Sequence, residues 1–335
     1  MRAVVSRVPG ELAVERVPDP RPLEKQLVLR VRACGICGSD LHMHQHKRLP
    51  PGAIMGHEIL GEVMETRGNL RAGARVCALP NLSCGSCDRC RSGMGVYCAQ
   101  QRWIGGGLPN GAFAEYVAVA EHELVRVPDG VGDELAALVE PLAVGLHAVN
   151  AARLRRGERC LVIGAGPIGL AIALWARHFG ACEVIVSERA PGRRALAERL
   201  GATRGVDPSR EDLAALLEQN APGGPDVVFE AVGAQGLIKD AISRVRFRGR
   251  VIVVGVCVGA DTFLPAAAVM KEASVHFVLA YEKDDFQYTL DMLAQGRIDP
   301  SPLVTDRIGL DGVPAAFDAL ARPSHQCKVL VFPSR

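Results

Sequence analysis

The chain has 335 residues, of which 48% are hydrophobic and 23% charged, a composition typical of a folded globular protein. At about 150 residues per domain, this length predicts two domains. Thirty-nine lysines and arginines against 37 acids give a net charge of +2, and aromatic residues make up only 4%. These values provide neither the electrostatic field nor the stacking surface that binding to nucleic acid or an anionic membrane would need.

The first 140 residues are predicted to form short strands joined by turns and long loops. Glycine and proline recur in this part of the chain, as in Pro50-Pro51-Gly52. Between residues 26 and 33 the sequence alternates, and the apolar positions of one face are Leu27, Leu29, Val31 and Ala33. Such alternation is typical of half-buried strands, so we expect a β-rich domain.

Candidate ligands for a metal ion lie in three segments of this region. Cys34-Gly-Ile-Cys37 is followed twenty residues later by His57-Glu58, and a further acid, Glu140, comes at the end of the region. One cysteine, one histidine and one carboxylate would leave a zinc position open for water or substrate, as in a catalytic site. A redox pair is the alternative for the two cysteines, but no βαβ unit surrounds them.

Four cysteines are clustered between these segments with the spacing C-x2-C-x2-C-x7-C, at Cys84, Cys87, Cys90 and Cys98. Thiolates this close in sequence can converge on one Zn²⁺, and four of them close its coordination shell, so the site is predicted to be structural. The alternatives are two disulfides, which a reducing compartment disfavours, and an iron–sulfur cluster, which also uses four cysteines.

From about residue 145 the pattern changes to apolar runs that alternate with helical segments. The predicted strands are Cys160–Ile163, Glu183–Val186, Val227–Phe229 and Arg250–Val254. Residues 191–200 begin with a proline and are followed by a glycine, which is typical of a short helix. Strands alternating with helices predict an α/β domain with a parallel sheet. A last strand is expected at Lys328–Phe332.

A glycine-rich segment follows the first of these strands, with Gly164, Gly166 and Gly169 in the pattern G-x-G-x-x-G. Its place between an apolar strand and an apolar helix predicts a dinucleotide site, with the pyrophosphate at the helix N-terminus. Glu188 comes nineteen residues after Gly169, where an acid binds the adenosine ribose, so NAD is favoured over NADP. Arg189 follows directly and would weaken that preference. The alternative is a plain glycine turn and a surface acid.

These segments together make the sequence resemble the zinc-dependent medium-chain alcohol and polyol dehydrogenases over nearly its whole length. The resemblance rests on CGICGSDLH (34–42), GHE (56–58), CGSCDRC…C (84–98), GAFAEY (111–116), EPLAVGLHA (140–148), GAGPIGL (164–170) and KVLVFP (328–333). It implies a GroES-like β-rich catalytic domain of residues 1–145 and 285–335, with a structural zinc lobe at about 77–100. A Rossmann domain with a doubly wound parallel sheet is implied for residues 146–284.

The resemblance also implies roles for individual residues of the catalytic domain. Cys37 and His57 match two ligands of a catalytic zinc, and Asp40 matches a position that orients a metal-bound group. Ser39 matches the hydroxyl that takes the alcohol proton, and His42 matches the end of the relay that passes it to solvent. For the third protein ligand we expect Glu140 near the metal, with Glu58 as the other candidate.

In the cofactor domain, the resemblance assigns the segment Gly164-Ala-Gly166-Pro167-Ile168-Gly169 to the dinucleotide. Arg193 matches a basic residue beside the adenosine ribose. Lys328 matches a basic position near the cofactor pyrophosphate. Two zinc ions per chain, one catalytic and one structural, and NAD rather than NADP are therefore the expected cofactors.

The expected function is reversible hydride transfer between a secondary alcohol, diol or polyol and NAD. Two rivals remain open: a zinc-free reductase of quinones or enones on the same fold, and a non-enzymatic regulatory protein that binds zinc and NAD. The N-terminal segment has no apolar core of a secretory signal, and the cysteines are clustered, so we expect a cytoplasmic protein. A homodimer or homotetramer is expected, with a small alcohol or ketone as substrate and no nucleic-acid or membrane partner.

Neighbouring side chains have simpler expected roles. His44 and His46 are predicted to be exposed loop residues, and Met43 is predicted to face the substrate cleft. The remaining cysteines are predicted to be small buried hydrophobes; they are Cys34, Cys77, Cys160, Cys182, Cys257 and Cys327.

Overall fold

The chain divides into two compact units in a computed structural model, which describes residues 1–321 and 326–335. The first unit comprises Met1–Glu140, Glu282–Arg297 and Val304–Arg335, and the second comprises Pro141–Tyr281 and Ile298–Leu303. The main boundaries differ from the predicted ones by five residues or fewer. Residues 298–303 join the second unit, contrary to prediction, because the 3₁₀ turn Ser301–Leu303 packs against the helix Pro191–Arg199.

The strands are numbered along the chain. They are β1 (Arg2–Val8), β2 (Glu11–Arg16), β3 (Gln26–Gly35), β4 (Glu58–Val63), β5 (Arg75–Ala78), β6 (Tyr116–Ala120), β7 (Leu124–Arg126), β8 (Arg159–Ile163), β9 (Glu183–Ser187), β10 (Arg204–Val206), β11 (Val227–Glu230), β12 (Arg250–Val253), β13 (Ser274–Phe277), β14 (Val304–Ile308) and β15 (Lys328–Val331).

The helices are numbered in the same way. They are α1 (Gly38–Gln45), α2 (Asp88–Arg91), α3 (Asp133–Ala136), α4 (Val139–Ala152), α5 (Pro167–His178), α6 (Pro191–Arg199), α7 (Leu213–Asn220), α8 (Leu237–Arg244), α9 (Pro265–Val269), α10 (Lys283–Ala294) and α11 (Val313–Leu320). Within the described ranges, no helix is both long and apolar enough to cross a bilayer.

The first unit is built on a mainly antiparallel sheet with the strand order β14-β15-β3-β4-β5-β7, and β6 pairs with β3. The alternation predicted for β3 is confirmed, since Leu27, Leu29, Val31 and Ala33 are all fully buried. Their core includes Phe113 and Phe317, whose rings meet edge to face at 6.1 Å. The C-terminal strand β15 lies beside β3, so the end of the chain completes this unit.

The second unit is a six-stranded parallel sheet in the order β10-β9-β8-β11-β12-β13. This is the doubly wound order of dinucleotide-binding domains, with the switch point between β8 and β11. The four predicted strands correspond to β8, β9, β11 and β12. The sequence did not indicate β10 and β13, because these edge strands are short and only partly buried and so lack a continuous apolar run.

Candidate active site

The first candidate metal site brings together Cys37, His57 and Glu58, whose donor atoms all lie within 4.8 Å of one another. Cys37 is the N-cap residue of α1, His57 directly precedes β4, and Glu58 is the first residue of that strand. Glu58 is fully buried and Cys37 is half-buried. Three ligands of this chemistry fit a zinc ion that keeps one coordination position open.

A buried carboxylate, Asp40, supports two of these ligands. Its Oδ2 accepts a hydrogen bond from the backbone N–H of Cys37 at 3.0 Å, and its Oδ1 lies 3.3 Å from Nδ1 of His57. Burial opposes the charged form of His57, but the charges of Asp40 and Cys37 raise the pKa of His57 well above its usual value. The electrostatic potential at the cluster is therefore negative. A carboxylate hydrogen-bonded to a histidine also orients the imidazole for metal binding.

Glu58 is also paired with the buried amine of Lys328. Nζ of Lys328 donates to Oε1 of Glu58 at 2.5 Å and to the carbonyl oxygen of Ile36 at 3.0 Å. Burial opposes the charged form of Lys328, but nearby Glu58 keeps its pKa above the usual value. Contact between Lys328 and a cofactor pyrophosphate stays a prediction, and the structure adds a partner for this amine that the sequence did not indicate.

The two candidate acids lie at different places relative to Cys37 and His57, and the expected place of Glu140 near the metal stays a prediction. Glu58, and not Glu140, joins Cys37 and His57 in the cluster found among the described residues. Glu140 lies in the first turn of α4, is 8% exposed, and is close enough to help raise the pKa of Lys328. Sequence spacing could not decide between them, because one acid adjoins a ligand in the chain and the other approaches only through folding.

One buried oxygen shows that the cluster fits a cation. Oε2 of Glu58 is buried and has no hydrogen-bond donor among the described residues. A buried carboxylate oxygen without a donor is costly unless a proton or a metal ion compensates it. The thiolate, imidazole and carboxylate donors are the set that zinc accepts in catalytic sites.

Ser39 and His42 are exposed on α1, one helical turn apart. The hydroxyl oxygen of Ser39 lies 3.5 Å from Nε2 of His57, at the metal cluster. His46 is exposed as predicted, but His44 is not fully exposed, and the cleft-facing position predicted for Met43 stays a prediction. His44 packs edge to face on Phe317 at 5.4 Å and Met43 packs on the apolar core, because residues 38–45 form a helix with one face turned inward.

The four clustered cysteines form the second candidate metal site. Their sulfur atoms also lie within 4.8 Å of one another, and Cys84, Cys87, Cys90 and Cys98 are all free thiols rather than disulfides. The backbone N–H of Cys87 donates to the sulfur of Cys84 at 3.4 Å, and that of Gln100 donates to Cys98 at 3.4 Å. Convergence on one centre matches the predicted zinc lobe.

Hydrogen bonds and burial give two thiols of this lobe very different pKa values. Bonds from Ser86, first from its backbone and then from its hydroxyl, lower the pKa of Cys84 to about 5. Burial is the main reason why the pKa of Cys90 is raised to about 12. Cys84 is therefore a thiolate at neutral pH, whereas Cys90 is a thiol that loses its proton when a cation binds.

The glycine turn lies between β8 and α5, as predicted. Gly164 has φ = +96°, and a β-carbon at Gly169 would fall 2.0 Å from the carbonyl oxygen of Gly164. At Gly166, the N-cap residue of α5, a β-carbon would meet no described atom within 4 Å. Gly164 and Gly169 are therefore needed by the fold. Gly166 instead leaves open space at a helix N-terminus, where a phosphate fits.

Glu188, the acid that directly follows β9, is hydrogen-bonded to this turn. Oε2 of Glu188 accepts a hydrogen bond from the backbone N–H of Ala165 at 2.9 Å, and Oε1 accepts one from Ala190 at 2.9 Å. Glu188 thus lies beside the glycine turn, where the sequence predicts the adenosine ribose. Arg189 is exposed and Arg193 is half-buried in the first turn of α6.

One residue that the sequence did not indicate holds this region in place. Arg194 donates through one guanidinium nitrogen to the carbonyl oxygens of Glu188 and Arg189, at 2.8 and 2.5 Å, and to Asp207 at 3.2 Å. No motif or spacing could have identified it, because its carbonyl partners carry no sequence signal.

The cysteines outside the two clusters are only partly as predicted. Cys34, Cys77, Cys160 and Cys327 are buried, but Cys182 is exposed and Cys257 is partly exposed. The sulfur of Cys182 donates to the carbonyl oxygen of Gly157 at 2.9 Å. Cys182 precedes β9 and Cys257 follows β12, so neither lies in the core of its sheet.

A doubly wound dinucleotide-binding unit and an open cysteine–histidine–acid cluster in one chain define the class of metal-dependent dehydrogenases. Two family models match this chain: "Alcohol dehydrogenase GroES-like domain" over residues 23–129 and "Zinc-binding dehydrogenase" over residues 167–295. The chain belongs to the zinc-dependent medium-chain dehydrogenase family. Its predicted fold class, a GroES-like domain combined with a Rossmann domain, is confirmed.

Similar proteins extend over almost the full length of the chain. L-threonine 3-dehydrogenase of Sinorhizobium fredii is 32% identical over 341 residues, covering 99% of this chain and 98% of that protein. The crystal structure of 2R,3R-butanediol dehydrogenase from Bacillus subtilis has a TM-score of 0.89 at 32% identity, with 99% of each chain covered. A structure described as a zinc-binding dehydrogenase from Sinorhizobium meliloti 1021, bound to NADP, has a TM-score of 0.88 at 33% identity, with 99% of each chain covered.

The family membership establishes the general activity. The protein is an oxidoreductase that acts on CH–OH groups and uses zinc and a nicotinamide cofactor, an alcohol or polyol dehydrogenase in the broad sense.

Proposed function

We propose that this enzyme oxidises a secondary alcohol or diol to the ketone with NAD, reversibly and with two zinc ions per chain. The convergence of Cys37, His57 and Glu58 within 4.8 Å carries this proposal. It supplies the open metal position that a zinc-free reductase does not need. A relative acting on L-threonine and a structural neighbour acting on butanediol both have names that denote secondary-alcohol substrates, which supports this substrate class over ethanol.

Each side chain at the cluster has its own role in the proposed reaction. Zinc, when bound, supplies Lewis acidity that lowers the pKa of the substrate hydroxyl. Ser39 accepts the hydroxyl proton, since its oxygen lies at the cluster beside His57. His42 passes the proton to solvent, because it is exposed one turn further along α1. Asp40 holds His57 and the start of α1 in fixed positions. The nicotinamide cofactor provides the hydride acceptor.

The cysteine lobe is proposed to hold the second zinc in a purely structural role. All four of its ligands are protein thiols, so no coordination position remains for a substrate. A reducing, cytoplasmic compartment would keep these thiols available, and we propose that location.

NAD is proposed as the preferred cofactor because of the charge on Glu188. Its carboxylate lies beside the glycine turn, where it can accept hydrogen bonds from a ribose diol and would repel a 2′-phosphate. The structural neighbour bound to NADP shows that the family also admits the phosphorylated cofactor. Arg189 is exposed next to Glu188 and would oppose the preference.

A homodimer or homotetramer is proposed, with the edge strand β13 as the contact to a second copy. The N–H of Ser274 donates to the carbonyl oxygen of Gly249, just before β12, and the N–H of Val278 donates to that of Val253, the last residue of β12. The alternating N–H groups of Val275 and Phe277 therefore point away from the sheet. Large apolar side chains around this edge are more than half exposed; they are Leu264, Val269, Met270, Phe277 and Leu279. An unpaired edge can pair with its own copy about a twofold axis.

A combined metal and substrate assay tests the function. Purified protein is expected to contain two zinc ions per chain and to reduce NAD with secondary alcohols and diols faster than with primary alcohols. One zinc per chain and no turnover would favour the regulatory alternative. Protein without zinc that reduces quinones or enones would favour the zinc-free reductase.

A further inference from the structure

Lys328 and Glu58 form an ion pair in the interior of the first unit. Among the ion pairs of the described residues, it is the most deeply buried. The side chain of Lys328 is 1% exposed and that of Glu58 is 0% exposed. Burying two charges costs several kcal/mol per ion, and pairing alone often fails to recover that cost. Packing therefore gives no reason for this pair, whereas a need for a fixed carboxylate does.

The two oxygens of Glu58 have different surroundings. Oε1 receives the hydrogen bond from Lys328, whose amine is in turn fixed by the carbonyl oxygen of Ile36. Oε2 is buried without a donor. Gly35 leaves the space for it, since a β-carbon there would fall 1.7 Å from Oε2 and 3.2 Å from Cδ of Lys328. The carboxylate is thus held at one oxygen and left with a free acceptor at the other.

We propose that Lys328 is a positioning residue for the metal: by binding Oε1 it fixes the carboxylate of Glu58 beside Cys37 and His57 as a zinc ligand. The inference rests on the zinc site assigned under the proposed function. It gives Lys328 a role toward the metal that is separate from contact with a cofactor pyrophosphate. Lys328 itself need not touch the substrate or the metal.

Zinc release to a chelator, measured in the folded protein, tests this role without turnover. The variants are Lys328→Met, Glu58→Gln and the double variant, which removes both buried charges and so guards against misfolding. Lys283→Met is the matched control, because its amine is also partly buried in the first unit and donates to the carbonyl oxygen of His122 at 2.7 Å. A Cys98→Ser protein identifies which phase of release belongs to the cysteine lobe.

Lys328→Met is expected to speed release of the non-lobe zinc by about 10- to 100-fold, the usual effect of removing a group that orients a metal ligand. In the Glu58→Gln background the same substitution should add little, because the lysine acts through that carboxylate. The absorption spectrum of cobalt-substituted enzyme should change with Lys328→Met and not with Lys283→Met.

Three results would overturn the inference: an unchanged release rate in Lys328→Met, additive effects of the two substitutions, or weaker NAD binding with the metal site unaltered. The last would instead support the pyrophosphate contact. Wild-type protein with no zinc outside the cysteine lobe would refute the proposed function itself, so the two failures are distinguishable.

Discussion

Gly35 and Glu58 are in such close contact that a β-carbon on the glycine would lie 1.7 Å from Oε2 of the acid. The two residues pair across β3 and β4. Space for the carboxylate in the metal cluster therefore depends on the absence of a side chain on the neighbouring strand.

Replacing Gly35 with alanine is expected to displace Glu58 and weaken the non-lobe zinc by about 10-fold or more, as loss of an orienting contact does. Zinc content after dialysis against a chelator measures this. The control is Gly38→Ala, where a β-carbon would meet no described atom within 4 Å. Full zinc content in Gly35→Ala, with activity intact, would contradict the assignment of Glu58 as a ligand.

Cys37→Ser should abolish alcohol oxidation and remove one zinc per chain, because a hydroxyl is a much poorer zinc ligand than a thiolate. Circular dichroism should show an unchanged fold, and the lobe zinc should remain. The exposed Cys182 provides the control variant Cys182→Ser, which should behave like wild type. An active Cys37→Ser enzyme would rule out this site.

Cys98→Ser should lose the lobe zinc and destabilise the protein. The zinc site of Cys37, His57 and Glu58 should stay unchanged. A loss of roughly 2 kcal/mol would lower the melting temperature by about 5 °C, given the usual scaling for domains of this size. Differential scanning calorimetry with zinc analysis measures both. A visible iron–sulfur absorption in the purified wild-type protein would show that the lobe holds a cluster and not zinc.

Glu188→Gln should reduce the preference for NAD over NADP by about 10-fold, which corresponds to about 1.4 kcal/mol of removed repulsion. The amide keeps an oxygen to accept from Ala165 or Ala190, so the turn should survive. Ratios of kcat/KM for the two cofactors measure the effect. The exposed acid Glu218 supplies the control Glu218→Gln; an NADP preference already present in the wild type would show that the neighbouring arginines dominate.

Phe277→Pro should dissociate the oligomer, because it removes an outward N–H from β13 and an apolar side chain that is 62% exposed. Sedimentation velocity gives the mass. Phe247→Ser removes a side chain that is 68% exposed but lies outside β13, and its oligomer should persist. If only Phe247→Ser dissociates the oligomer, the interface between copies does not lie at β13.

Local spacing was enough to locate the cysteine lobe and the glycine turn. The tetrad beginning at Cys84 and the turn beginning at Gly164 are compact in sequence, so their residues must meet wherever the chain folds. The helix at residues 38–45 was not foreseen, and its inward face explains why His44 and Met43 are packed against the core. The edge strands β10 and β13 were missed because exposed strands carry little hydrophobic pattern.

The sequence by itself determined the family, the two sets of cysteines and the dinucleotide turn, because each depends on residues that are near one another in the chain. Only the tertiary structure decided which acid joins Cys37 and His57, and that Lys328 holds it. Lys328 and Glu58 are 270 residues apart. Their contact exists because β15 returns to pair with β3, which also pairs with β4, the strand that carries Glu58. No local pattern encodes that strand order.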